Sequence, residues 1–136
     1  MNNSLIEKSI IINATVNVVW RVFTDPVITR KMGGEYATNW KAGSSFGWKG
    51  ADGNMYTNGI ILRIENEQLI EHSLFSSGST TTITSVIAYT FKENNGGTIL
   101  CASEKLFAEL TENEYNETSQ GWDFALATVK KIAEDL

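Results

Sequence analysis

The stretch NATVNVVWRVFTDP (residues 13–26) holds one short amphipathic helix and the start of another. Its apolar residues recur three or four positions apart, which is the spacing of one helix face, while polar residues take the opposite side. The apolar face consists of Val16, Val19, Trp20 and Phe23. Thr15 or Asn13 can cap this helix. Because β-branched valines are poor helix formers in isolation, we expect tertiary packing to hold the helix in place.

The second helix begins at once after the first. Asp25-Pro26 supplies an N-cap and a first-turn proline, and the helix is predicted to run to about Met32. Gly33-Gly34 then ends it.

The sequence on both sides of these helices predicts strands. Residues 4–12 end in three isoleucines and indicate one strand, and residues 35–107 contain short alternating runs that indicate six more. Asp52-Gly53 and the Asn94-Asn95-Gly96-Gly97 run are strong turn signals within this region. Because consecutive strands with short links are usually antiparallel neighbours, we expect one antiparallel sheet.

The C-terminal segment predicts a long helix. It opens with Thr111-x-x-Glu114, a capping box. One apolar stripe then follows a four-three spacing, which predicts that this face grips the sheet. The stripe consists of Tyr115, Ser119, Trp122, Leu126, Val129, Ala133 and Leu136. Gly121 lies inside this helix and costs about 1 kcal/mol relative to alanine, so we expect a close approach of another group there.

The length and composition indicate one globular domain over residues 1–136. The only cysteine, Cys101, cannot form an internal disulfide, which favours a cytoplasmic location. No apolar run approaches the ~20 residues of a membrane span, and the N-terminus lacks the pattern of a signal peptide. The net charge is −5, and residues 104–136 hold the whole acidic excess. An acidic chain without a basic stripe is not expected to bind nucleic acid.

Several motifs, taken in order, resemble one family. They are INATVNVVWRVFTDPVITRKM (residues 12–32), GSSFGWKG (residues 43–50) followed by Gly59, NGGTILCASE (residues 95–104) and GWDFALATVKKIAEDL (residues 121–136). Together they resemble the family of homologues of the activator of the heat-shock-protein-90 ATPase, within the START-like (SRPBCC) superfamily. The likeness covers essentially the whole chain.

This resemblance implies an α+β helix-grip fold. In that fold a curved seven-stranded antiparallel sheet wraps around the long C-terminal helix, and the two short helices after the first strand close one end. Trp20 is then a core residue at that end, as large aromatic side chains usually are.

The resemblance also implies a pocket between the sheet and the C-terminal helix. We expect Phe46, Trp48, Tyr89, Glu104 and Trp122 to bind a ligand there. Strand alternation alone leaves the inward face of residues 98–107 open, because both faces carry apolar residues. The resemblance favours the face with Leu100, Ala102 and Glu104.

Few residues offer catalytic chemistry. Burial among aromatic side chains disfavours the charged form of a carboxyl group, which makes Glu104 the candidate general acid or base. His72 is the only histidine, and we expect it to be a surface or hydrogen-bonded strand residue. With no second histidine and no metal-ligand spacing around Cys101, we expect neither a metal nor another cofactor.

Three functions follow from the resemblance. The leading one is non-enzymatic binding of a small lipophilic molecule by a carrier or sensor. One alternative is an enzyme of the cyclase or hydrolase type that uses Glu104 or Arg63 as acid, base or anchor. The other is a co-chaperone-like or stress-response protein that acts on the heat-shock ATPase. Phe124 is predicted to lie on the outer face of the long helix, where it is a candidate contact of a homodimer.

Overall fold

The computed structural model describes residues 3–136, which form eight strands, three α-helices and one 3₁₀ turn. The strands are β1 (Leu5–Ile12), β2 (Gly34–Tyr36), β3 (Ser45–Phe46), β4 (Trp48–Gly50), β5 (Gly59–Glu65), β6 (Leu69–Phe75), β7 (Ile83–Asn94) and β8 (Gly97–Leu106). The helices are α1 (Val16–Thr24), α2 (Pro26–Thr29) and α3 (Glu112–Glu134), and the 3₁₀ turn (Arg30–Met32) follows α2.

Six of these strands form one antiparallel sheet in the order β1-β8-β7-β6-β5-β3. Among the strands of the described residues, β2 and β4 pair with each other as a separate two-stranded ribbon, and Lys49 of β4 also forms an isolated bridge with Met55. The sheet and the long α3 confirm the helix-grip fold. The expected single seven-stranded sheet is wrong in its strand count and in its pairing, since β2 and β4 lie outside the main sheet.

The ribbon separates from the sheet because the run SFGWKG changes partner at Gly47. Before the glycine, β3 pairs with the start of β5, and after it, β4 pairs with β2. A Cβ atom on Gly47 would lie 2.4 Å from the carbonyl oxygen of Thr57 and 2.5 Å from the side chain of Met55. Only glycine allows this close approach, so residues 45–50 form two short strands, β3 and β4.

The two short helices are capped as the sequence predicts. The Thr15 side chain accepts a hydrogen bond from the amide of Val18 at 3.4 Å, and Asp25 accepts one from the amide of Val27 at 3.1 Å. Trp20 is 8% exposed, and its ring centroid lies 5.0 Å from that of Phe91 on β7. Trp20 is therefore a core residue, as expected.

The expected capping box of α3 is present, with the Thr111 side chain and Glu114 each accepting from the other's backbone amide. The buried residues of α3 are Leu126, Val129, Ile132 and Ala133. Leu136, which was expected in the buried stripe, is 54% exposed because it lies beyond the end of the helix. The expected close approach at Gly121 is also wrong, because a Cβ atom there would meet nothing within 4 Å.

Side chains of α3 bond to the end of β1, an edge strand of the main sheet. The Lys130 ammonium donates to the carbonyl oxygen of Ile11 at 2.7 Å, and Glu134 accepts from the amide of Asn13 at 2.7 Å. Lys130 and Glu134 also pair with each other at 2.6 Å. Within residues 3–136, no helix is both long and apolar enough to cross a membrane.

Candidate ligand-binding cavity

An open cavity of about 240 Å³ lies between α3 and the parts of the chain that face it. Its lining residues are Phe23, Met32, Tyr36, Trp48, Tyr89, Trp122, Phe124, Ala125, Leu126, Thr128 and Val129. Most of these side chains are aromatic or aliphatic, and none of the eleven carries a formal charge at neutral pH. The walls therefore suit an apolar ligand, with a few hydroxyl and indole groups to orient it.

The two-stranded ribbon explains how residues distant in sequence meet at this cavity. Tyr36 of β2 and Trp48 of β4 are cross-strand partners, and their ring centroids lie 5.0 Å apart at an interplanar angle of 73°. Phe23 of α1 contributes a third ring, 4.9 Å from the ring of Tyr89 on β7. The split at Gly47 thus places aromatic side chains opposite α3.

The two tyrosines at the cavity stay protonated at neutral pH. Burial raises the pKa of Tyr36 to about 12, and the hydrogen bond with Tyr89 opposes this shift. Burial also raises the pKa of Tyr89, and the contacts with Tyr36 and the negative charge of Glu104 raise it further. Both hydroxyl groups can therefore donate and accept hydrogen bonds, but neither is an effective base at neutral pH.

Glu104 lies on β8 just behind the wall of the cavity and is 9% exposed. Its Oε1 accepts a hydrogen bond from the indole Nε1 of Trp122 at 2.9 Å, and its Oε2 accepts one from the hydroxyl of Ser85 at 2.9 Å. Leu100 and Ala102 are buried on the same face of β8, which confirms the inward face that the resemblance favoured. The carboxyl group thus holds Trp122, one wall of the cavity, in position.

His72 is buried rather than at the surface, with 2% exposure. Its ring stacks on Phe46 at 4.0 Å, and its Nδ1 donates to the carbonyl oxygen of Ser73 at 3.0 Å. Burial lowers the pKa of His72 to about 4, so the ring is neutral at pH 7. His72 is therefore a hydrogen-bonded strand residue, one of the two positions expected for it. No group of three or more histidine, cysteine or acidic residues within residues 3–136 is placed to hold a metal ion.

The structure brings three of the five predicted site residues to the cavity wall: Trp48, Tyr89 and Trp122. The rings of Tyr89 and Trp122 lie 5.7 Å apart across the space between β7 and α3. Phe46 lies one layer behind, 3% exposed, with its ring centroid 5.1 Å from that of Tyr36. Glu104 does not line the cavity, and its carboxyl group bonds to the indole of Trp122, which does. That these five residues contact a ligand stays a prediction.

The sequence interpretation missed several wall residues. Leu126 and Val129 belong to the predicted stripe of α3, so that stripe already contained the signal for them. Phe23 belongs to the predicted apolar face of α1 in the same way. Met32 and Tyr36 had no such signal, because the direction of the Met32 side chain depends on the 3₁₀ turn and that of the Tyr36 side chain depends on the separate ribbon.

Comparison with known proteins places this architecture in a family. The family model described as activator of Hsp90 ATPase homolog 1-like protein (AHSA1) matches residues 13–134. The chain belongs to this family. The match begins just after β1 and ends with α3, so it includes every lining residue of the cavity. No curated protein matches the chain.

Solved structures share the fold of this AHSA1 family chain. CalU16 from Micromonospora echinospora is 25% identical, with a TM-score of 0.71 over 95% of this chain and 74% of that one. ChR145 from Cytophaga hutchinsonii is 24% identical, with a TM-score of 0.79 over 99% of this chain and 97% of that one. The Aha1 dimer from Colwellia psychrerythraea is 13% identical, with a TM-score of 0.78 over 96% of each chain. The last two likenesses concern the fold alone.

Proposed function

We propose that the protein binds a small lipophilic molecule in the cavity under α3, as a carrier or sensor, and catalyses no reaction on it. The observation that carries this proposal is the uncharged, largely aromatic wall of a 240 Å³ cavity. Drug-sized sites usually measure about 300–1,000 Å³, so the ligand is a small one or projects from the mouth.

The surroundings of Glu104 support binding over catalysis. A general acid or base must come within about 3 Å of the proton that it transfers. Glu104 lies behind Trp122, and both of its oxygens already accept hydrogen bonds from protein groups. The carboxyl group thus has a positioning role that explains its burial without any reaction.

A matched pair of alanines on α3 tests the location of the binding site. Ala125 lines the cavity and is exposed, whereas Ala127 is exposed and does not line it. We expect Ala125→Phe to weaken the binding of a lipophilic ligand by about tenfold or more, because the added ring occupies the cavity. Ala127→Phe should bind as the wild type does. Equal effects of the two substitutions would contradict the proposed site.

The ligand itself can be sought in freshly purified protein. Native mass spectrometry should show a retained small molecule that Ala125→Phe carries in smaller amount. A product assay on the same ligand tests the enzymatic alternative. A product that wild type forms and Glu104→Gln does not form would overturn the non-enzymatic proposal, since proton transfer contributes about 10²–10⁴-fold.

A role toward a heat-shock ATPase is the second candidate, and the family match over residues 13–134 favours it. The measurement is the ATPase rate of purified Hsp90 with and without an excess of this protein. A raised rate would support this role, and an unchanged rate at saturating concentrations would exclude it.

Homodimerisation is also proposed. Phe124 is 76% exposed on α3 at the rim of the cavity, where an apolar side chain gains by being covered. The related structure from Colwellia psychrerythraea is described as a dimer. Sedimentation of wild type and Phe124→Ser tests this proposal. If both proteins sediment as monomers, the proposed homodimer is contradicted, whereas the proposed ligand binding in the cavity is not.

A further inference from the structure

We propose that the cavity selects its ligand by charge: it binds neutral or cationic lipophilic molecules and excludes lipophilic acids such as fatty-acid carboxylates. This inference rests on the proposed function, and it adds the chemical class of the ligand.

The walls of the cavity lack a positively charged side chain. None of the eleven lining residues is a lysine, an arginine or a histidine. A carboxylate that leaves water for an apolar site needs a paired positive charge or several strong donors, because desolvation of an unpaired charge is costly. Tyr36 and Tyr89 can donate a hydrogen bond, but they interact with each other, and a neutral carbonyl or hydroxyl group can accept such a bond equally well.

The carboxyl group of Glu104 lies just behind the wall. Trp122 donates a hydrogen bond to Oε1 of Glu104, and Ser85 donates one to its Oε2, so both oxygens of this acidic side chain are held in place behind the wall. Tyr89, which lines the cavity, has a raised pKa whose causes are burial, then Tyr36, then the charge of Glu104. The negative charge therefore acts on the cavity wall itself. An anionic ligand is repelled by it, and a cationic ligand is attracted.

The nearby positive charges do not offset this effect. Lys8 pairs with Asp123 at 3.1 Å, Arg30 pairs with Glu35 at 3.2 Å, and Lys130 pairs with Glu134 at 2.6 Å. Lys31, the residue before Met32 of the wall, and Lys49, the residue after Trp48 of the wall, are both exposed. Water and salt screen an exposed charge of this kind strongly, whereas the charge of Glu104 acts through a buried region.

A matched ligand series tests the inference on wild-type protein. The series carries three head groups on one two-ring skeleton: 2-naphthaleneacetic acid, 2-naphthaleneacetamide and 2-(2-naphthyl)ethylamine. Calorimetric titration at pH 7 should show the amide and the amine binding about tenfold or more tighter than the acid. If the acid binds as tightly as the amide and the amine, or more tightly, charge selection is overturned and the proposed binding function stands. Failure of all three to bind overturns the proposed function together with this inference.

Variants test the source of the selectivity. Glu104→Gln keeps the shape of the side chain and removes its charge. The affinity gap, which is the ratio of the Kd of the acid to the Kd of the amide, should therefore narrow several-fold. Glu109→Gln removes an exposed charge from the segment before α3 and should leave the gap unchanged, as should Lys31→Gln. A gap that remains wide in Glu104→Gln overturns the role of Glu104. If that variant fails to fold, the wild-type series still decides the inference.

Discussion

The two halves of α3 contact the rest of the protein in different ways. In residues 126–134, four side chains are buried and belong to the hydrophobic core. In residues 112–125, no side chain is buried to that degree, and the residues that line the cavity there, Trp122, Phe124 and Ala125, are half-buried or exposed. The apolar stripe runs through both halves with the same spacing, so the difference comes from what lies opposite the helix.

This difference separates two contributions of one helix. The C-terminal half stabilises the fold by close packing and also supplies Leu126, Thr128 and Val129 to the cavity wall. The N-terminal half contributes no buried side chain and serves mainly to cover the space that a ligand can enter. The hydrogen bond from Trp122 to Glu104 and the ion pair between Lys8 and Asp123 hold the N-terminal half over the sheet. Substitutions in the two halves should therefore differ in size and in kind.

The largest effect is expected at Leu126, which is 3% exposed at the start of the C-terminal half. Leu126→Ala should lower the free energy of unfolding by about 2–5 kcal/mol, because it removes a buried side chain from the core. Phe124→Ala, in the N-terminal half, should change the free energy of unfolding by less than about 0.5 kcal/mol. Urea denaturation of both variants checks this prediction. Similar midpoints for the two variants would contradict the division of α3.

The next effect concerns His72, which lies below the N-terminal half of α3 with its ring 6.3 Å from that of Tyr89. Its pKa is about 4 in the folded protein and ~6.5 in an unfolded chain, so the unfolded state binds more protons between these values. The contribution of His72 to stability is thus complete above pH ~6.5 and is lost as the pH falls toward 4. Between pH 7 and pH 5 the loss should reach about 2 kcal/mol.

The measurement for His72 is the free energy of unfolding at several pH values in that window. His72→Gln should show a flatter dependence than wild type, because it lacks the titrating ring. Parallel slopes for the two proteins would show that the buried ring does not control the acid sensitivity.

A smaller effect is expected at Trp122, which is half-buried in the N-terminal half. Trp122→Phe keeps an aromatic ring and removes the donor to the carboxyl group of Glu104, which should lower the free energy of unfolding by about 1.5 kcal/mol. Ser85→Ala removes the other donor to the same carboxyl group without changing α3, so it serves as the control for Trp122→Phe. Denaturation curves give both values. A loss for Trp122→Phe as large as that for Leu126→Ala would mean that the two halves hold the fold equally.

The smallest effect is expected at Gly121, which is exposed in the N-terminal half. Gly121→Ala should raise the free energy of unfolding by roughly 0.5–1 kcal/mol, because alanine favours the helix and its Cβ atom meets no neighbour. Thermal unfolding and a ligand titration check this prediction together. A loss of stability, or a change in affinity, would show that the glycine has a role in the motion or packing of α3.

The parts of the fold that the sequence predicted are those with local signals. The capping residues Thr15, Asp25 and Thr111 bond to backbone amides only two or three residues further along the chain. The turn at Asn95-Gly96 follows from two residues that tolerate positive φ. The separate ribbon lacked such a signal. It depends on the close passage of Gly47 past Thr57, a contact between segments that the alternating pattern does not encode.

The predicted and missed parts of the site differ in the same way. Tyr89 and Trp122 were predicted because alternation in a strand and the stripe of a helix both point toward the enclosed space. Phe46 obeys the same alternation, yet it lies behind Tyr36, since the ribbon adds a layer between β3 and the cavity. Period and alternation identify an inward face, but they do not show which inward side chain is covered by another.

The bonds between α3 and β1 also bear on self-association. An uncovered edge strand invites pairing with a strand of another chain, and β1 ends in three consecutive isoleucines. Lys130 and Glu134 occupy backbone groups of Ile11 and Asn13 at this edge, and the opposite edge, β3, is only two residues long. The C-terminal half of α3 therefore shields the sheet from fibril-like strand addition. Detachment of that half is expected to expose an aggregation-prone edge together with the core.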